Sequence, residues 1–207
     1  GVLQIVLDQG WQLSFQSLLE NGLNLIENKA KLSKDEIKKH VEDLFLQRYK
    51  TLLKGESFPY DAIDCVLSTG MDSIVDVKAK VAAFSDLKKQ PYFEPLAIAF
   101  RRVASILDKK IDGEVDPGLL NESAEKQLYA AFLKVREPVL NNIKNKKFSS
   151  ALENMGEIKP AVDDFFDNVM VMVEDPALRD NRLCLLRDIS GLFSDLADFS
   201  KIVLKKS

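Results

Sequence analysis

Two cysteines and a single histidine leave this 207-residue chain short of the residues from which metal centres and nucleophilic active sites are usually built. Cys65 and Cys184 stand far apart, fit no Cys-x-x-Cys spacing and sit in apolar settings, AIDCVL and RLCLLR. Two reduced core thiols are therefore the expectation. His40 follows Lys38-Lys39 in a polar helical stretch and belongs on an exposed helix face. These counts exclude the usual zinc site unless several carboxylates join it. They also leave no Ser-His-Asp or Cys-His arrangement to expect, so neither catalytic nor metal-binding residues are assigned.

Long apolar runs are lacking too. None approaches the ~20 residues of a membrane span, so no membrane contact is expected. The opening GVLQIVLDQGW has neither the basic start nor the cleavage pattern of a secretion signal, which makes the cytoplasm the expected location. The missing initiator Met is expected to mark a piece of a longer chain. Basic excess is also absent. Residues 1–90 carry 12 Lys and Arg against 13 Asp and Glu, and residues 91–207 carry 17 against 19. A chain that coats nucleic acid nonspecifically is usually basic, so any such contact here must be a local patch.

What the sequence does have is helical spacing from end to end. Trp11, Phe15, Leu18, Leu19, Leu23 and Ile26 form one stripe over residues 11–28. Ser33-Lys34-Asp35-Glu36 is a capping box that opens a helix ending at Gly55, with Ile37, Val41, Leu44, Phe45 and Tyr49 inward. Pro59 opens a short helix that Gly70 stops, and residues 72–87 repeat the amphipathic pattern. Phe93–Leu107 points Leu96, Phe100, Val103 and Leu107 inward, and DGEVDPG over 112–118 is the clearest break.

A long helix follows from Asn121 to about residue 146, with Leu128, Phe132, Val135, Val139 and Ile143 on one stripe. Pro138 inside it predicts a kink or two abutting helices, since an interior proline costs on the order of 3 kcal/mol. Residues 148–156 form a short helix. Val162, Phe165, Phe166, Val169 and Val173 recur at helical spacing, so the run Val169-Met170-Val171-Met172-Val173 is read as the end of a helix and its methionines as packing. Asp175-Pro176 starts the last helix, whose stripe reaches Leu196 and Phe199. No strand alternation or internal repeat is visible, and the predicted fold class is all-α, a helical bundle.

Three blocks carry a family resemblance. The string FFDNVMVMVEDPALRDNRLCLLRDISGLFSDLADFSKI resembles the C-terminal end of the beta subunit of the bacterial two-subunit glycyl-tRNA synthetase. Tyr60–Leu67 resembles that family's YDxIDAVL segment, with Cys65 where Ala is common. Leu96–Leu107 resembles its LAxAxKRVxNIL helix, with Phe100, Arg101 and Ser105 in place of a small or polar residue, Lys and Asn. The resemblance spans roughly residues 13–203.

It implies a C-terminal DALR-type anticodon-binding domain over residues 91–207, preceded by a smaller helical body over 1–90. It further implies glycine tRNA and the alpha subunit as partners, in a heterotetramer, with ATP and Mg used in the alpha subunit and no cofactor in this piece. The chain would serve a glycine–tRNA ligase while being non-catalytic itself. The lack of GxxxxGK[ST], GxGxxG and a His-Asp dipeptide agrees with this. A helical protein-interaction scaffold and the anticodon-binding domain of an arginyl-tRNA synthetase are the alternatives.

Anticodon bases are unpaired, so a reader stacks them on aromatic or guanidinium planes and bonds their edges, while Lys and Arg hold phosphates. The candidate contacts are Arg101, Arg102, Arg179, Asn181 and Arg182, with Lys144, Lys146 and Lys147 as the densest basic cluster. Each has a structural alternative. Arg101 or Arg102 could be a surface ion-pair partner. Asn181 and Arg182 could tie the helix corner to Asp163 or Asp167, Arg179 faces a similar choice, and the lysines could decorate a solvated helix end. Phe165 and Phe166 fit the core better than a stacking platform.

Overall fold

Capping signals and apolar stripes set most of the helices seen in the computed structural model, whose described residues are 1–26, 31–107 and 111–203. In chain order they are α1 (Val2–Gln9), α2 (Phe15–Ile26), α3 (Lys34–Gly55), α4 (Tyr60–Leu67) and α5 (Ile74–Leu87). Then come α6 (Phe93–Ile106), α7 (Ser123–Lys144), α8 (Phe148–Gly156), α9 (Lys159–Asn168) and α10 (Pro176–Ser194). Short 3-10 turns occupy Pro117–Leu119 and Phe199–Lys201. Among the described residues there is no strand, only an isolated antiparallel bridge between Ser14 and Ser73. The fold is all-α, as the periodicity predicts.

The expected caps form. Glu36 N–H donates to Ser33 Oγ at 3.3 Å while Ser33 N–H donates to the Glu36 carboxylate at 2.9 Å. Asp175 accepts from the N–H groups of Ala177 and Leu178 and so opens α10.

Elsewhere the boundaries differ from the sequence reading, each for a tertiary reason. Helix α2 begins at Phe15 rather than residue 11, because Asp72 caps it from a distance, accepting from Gln16 N–H at 2.9 Å and from the Ser14 hydroxyl at 2.8 Å. Trp11 is 51% exposed, and of the predicted stripe only Phe15 and Leu23 are buried. Residues 27 and 28 of that predicted helix lie outside the described residues. In α3, Leu44 faces solvent and Tyr49 is the buried member of its stripe. Pro138 neither breaks nor splits α7. It stands on the exposed face of the helix, as does Lys134 one turn before it, away from the buried stripe.

The largest difference falls at Val169–Val173. Helix α9 stops at Asn168, and Val169 is extended, with φ −120° and ψ 122°. Val169 and Val171 are buried while Met170 and Met172 face solvent, a period of two instead of a helical turn. β-Branched valines accept extended backbone readily. Likewise α10 ends at Ser194, and Phe199 reaches the core from the 3-10 turn beyond it.

The core runs unbroken from α1 to Ile202, across the junction at residues 90 and 91. Its centre is aromatic. Phe100 stacks on Phe193 with ring centroids 4.6 Å apart, and Phe199 meets Phe84, Phe100 and Phe193 edge-on. The last segment also docks on α4. Asp198 N–H donates to the Cys65 carbonyl at 2.9 Å, and Val203 N–H donates to Asp61, the partner of Lys88. Burial around Cys65 pushes its thiol up to about 12.

Candidate nucleic-acid interface

Helix α10 turns one face inward, and that face fixes the geometry around it. Asn181 is buried and clasps the backbone of Asp116: its Oδ1 accepts from Asp116 N–H at 2.7 Å, and its amide donates to the Asp116 carbonyl at 3.1 Å. Two turns further along α10, Arg187 donates to the Ile111 carbonyl at 2.9 Å. The turn over 111–118 is thereby tied to α10 through backbone groups.

Arg182, the neighbour of Asn181, is equally buried. Its side chain is 7% exposed and donates through Nε to Glu125 Oε1 at 2.6 Å. Through Nη1 it reaches the Met170 carbonyl at 2.9 Å. Glu125 is 0% exposed, and its second oxygen accepts from the N–H groups of Asn121 and Glu122 at 2.8 and 2.7 Å. One guanidinium therefore joins the start of α7, the segment after α9 and the first half of α10. A planar, multi-donor guanidinium is pre-organised to serve two acceptors held in fixed directions. Asn181 and Arg182, read from sequence as base contacts, have structural partners here. Those partners are Asp116, Glu125 and Met170 rather than Asp163 or Asp167.

The carboxylates expected to receive them are engaged elsewhere. Asp163 pairs with Lys159 one turn earlier, and Asp167 lies 3.8 Å from Arg102 Nη1. The Arg102 guanidinium also sits 4.5 Å from the centroid of the Phe166 ring. Phe165 is fully buried, whereas Phe166 is half-buried beside this arginine. Arg101 is exposed and has no ion-pair partner among the described residues. Arg179 is half-exposed and pairs with the adjacent Asp180 at 3.1 Å.

The lysine cluster lies at the α7–α8 joint. Lys146 is anchored, 3.0 Å from Asp76 on α5 and bonded to Gln12, while Lys144 and Lys147 point into solvent. Lys146 also adopts a left-handed conformation, φ 58°, which turns the chain from one helix into the next. Among the described residues no three His, Cys, Asp or Glu side chains converge as a metal site requires. No helix among them is long and apolar enough to cross a membrane.

Sequence reasoning missed Glu125 and the exposed methionines. The signal for Glu125 was present: counted back from Leu128 and Phe132, the apolar stripe of α7 lands on residue 125, and a carboxylate on a core face requires a cation. For Met170 and Met172 the signal was the strict two-residue alternation itself.

The sequence that builds α6 to α10 matches a known family. The profile of the DALR anticodon binding domain covers residues 96–202, more than half of the sequence. The chain belongs to the DALR anticodon-binding family. All of Arg101, Arg102, Arg179, Asn181, Arg182 and the lysine cluster fall within the matched DALR residues. The chain is also similar to the glycine–tRNA ligase beta subunits of Geotalea daltonii, 37% identical over 202 residues, and Geotalea uraniireducens, 39% over 206. That of Syntrophus aciditrophicus is 35% identical over 203 residues. In each case 98% of this chain is aligned, and it spans 29% of the relative's length.

Proposed function

We propose that this chain is the anticodon-gripping, non-catalytic C-terminal portion of a cytoplasmic glycine–tRNA ligase beta subunit. In the whole enzyme it would bind glycine tRNA while an alpha subunit, its partner in a heterotetramer, attaches glycine using ATP and Mg. The observation that carries this reading is the family match over 96–202 inside a chain whose relatives, aligned over 98% of it, bear that enzyme's name. The same relatives favour the glycine enzyme over the arginine enzyme, and the family match favours tRNA over a general scaffold role.

The residues divide by what they can reach. Arg101, Arg102 and Arg179 offer guanidinium planes at the surface, suited to stacking on splayed bases and donating to the O2 and N3 acceptors of cytosine. Asp180, paired with Arg179, offers an acceptor for a cytosine N4 amino group. Lys144 and Lys147 are free to meet phosphates. Arg182 and Asn181 contribute by holding the frame. With a net charge of −3, binding by the isolated chain is weak and steeply salt-dependent.

The test is a titration of the chain into labelled glycine tRNA at low salt, beside the same tRNA with its two anticodon cytosines replaced. Tighter binding to the intact anticodon is the expected result. Equal binding to both would move base reading to another part of the enzyme.

A further inference from the structure

We propose that Met170 and Met172, on the extended corner between α9 and α10, form an apolar platform against which unpaired anticodon bases pack. This rests on the anticodon-gripping role above and assigns it a surface that the charged residues alone do not provide.

Four observations converge on this corner. First, Met170 is 74% exposed and Met172 61%, while Val169 and Val171 between and before them are buried. Both thioethers stand in water on a corner that leaves Val169 extended and then bends at Val171 and Met172, where Val173 N–H donates to the Val171 carbonyl at 3.1 Å. Second, the segment has a rigid foundation. The buried Arg182–Glu125 pair grips the Met170 carbonyl, and the two valines sit in the core. Two large apolar side chains are thus held out in water beside a buried charge pair, largely uncovered among the described residues.

Third, the neighbours suit a nucleobase. Phe166 lies in the last turn of α9, four residues before Met170, and carries the Arg102 guanidinium 4.5 Å from its ring centroid. Arg179 stands one turn of α10 before Arg182, the residue that touches Met170. One guanidinium touches the end of α9 and another stands in the first turn of α10, so both elements joined by the methionine corner carry a plane suited to stacking on a base.

Fourth, the local charge argues against a phosphate grip and for base contact. Asp163, Asp164, Asp167, Asp175 and Asp180 are all engaged, with Lys159, Asn168, Arg102, the start of α10 and Arg179 respectively. Three of these carboxylates are offset by a cation and two are bonded to neutral groups, so the corner carries no basic excess to hold a backbone phosphate. The carboxylates tolerate an uncharged base and can accept from a cytosine amino group. An RNA loop that presents its bases inward and its phosphates elsewhere fits this surface.

The chain's four methionines supply the test. Mild peroxide oxidation followed by peptide mass spectrometry reads each one separately. Met155 is buried and Met71 half-buried, so they serve as internal controls. The probes are an anticodon stem-loop RNA of glycine tRNA and the same stem-loop with both anticodon cytosines replaced by uracil. Affinities are measured for the wild type and for the double variant Met170→Ala/Met172→Ala, which removes mostly solvent-facing atoms and whose melting temperature is expected to stay near that of the wild type.

The expected result is rapid oxidation of Met170 and Met172 in the free chain and protection of both by the cytosine stem-loop. The double variant is expected to lose about tenfold in affinity for that RNA and much less for the uracil RNA. If the wild type discriminates the two RNAs while the methionines stay reactive, or while the variant binds unchanged, the platform is refuted and the anticodon role stands. An equal loss on both RNAs also refutes it as a base reader. If the wild type does not discriminate, the anticodon role fails and the platform with it.

Discussion

Two helix joints in this molecule carry several of the cationic residues that the sequence puts forward, and they use them in opposite ways. At the joint between α9 and α10, Arg182 is drawn inside, bonded to a fully buried carboxylate and to a backbone carbonyl. At the joint between α7 and α8, Lys144 and Lys147 stay in water and Lys146 makes an exposed ion pair with Asp76. The difference follows from side-chain chemistry. A guanidinium has several donors in a fixed plane and can satisfy two buried acceptors at once, whereas an ammonium is a strongly hydrated point charge that is costly to bury. A buried arginine shapes the surface indirectly, and exposed lysines act on a ligand directly.

That contrast is most sharply broken by removing one buried partner. Arg182→Ala or Glu125→Ala is expected to destabilise the chain by about 3–5 kcal/mol, because each leaves an uncompensated buried charge. Denaturant unfolding measures it. Arg182→Lys should recover only part of the loss, since one ammonium cannot span Glu125 and the Met170 carbonyl. Full recovery by lysine would mean that the fork geometry is irrelevant.

Asn181→Ala comes next. It strips both backbone partners from Asp116 and is expected to cost about 1–2 kcal/mol. Hydrogen exchange should show the loss first in the turn over 111–118.

The exposed joint should behave differently. Lys144→Ala and Lys147→Ala are expected to leave unfolding nearly unchanged while lowering the salt dependence of tRNA binding by about one unit of log–log slope per lost phosphate contact. A large stability change in either would erase the distinction between the two joints.

The smallest effect at neutral pH concerns Cys65. Its folded thiol is pushed from an ordinary value of 9.0 to about 12 by burial, so the folded chain holds a proton that the unfolded chain releases. Its contribution is complete below pH 9 and is lost as pH rises through about 12. Cys65→Ala should flatten that part of the alkaline stability profile, measured by melting.

The sequence by itself determined the all-helical class, most of the helices, their N-caps at Ser33 and Asp175 and the apolar stripe of α7, because these depend on neighbours within a few residues. It also carried the blocks that resemble the glycyl-tRNA synthetase beta subunit. Tertiary structure alone decided where α2 begins, since its cap is Asp72, 56 residues from Gln16. It likewise decided the conformation of Val169–Val173. Helical spacing and strand alternation both fit that string, and the buried Arg182, waiting 12 residues away to take the Met170 carbonyl, favoured the extended form. The same long-range pairing sorted the candidate residues, turning Asn181 and Arg182 inward and leaving Arg101, Arg102 and Arg179 toward solvent. Local spacing shows which face of a helix a charge occupies; only the packing of distant helices shows whether that face meets water or a buried partner.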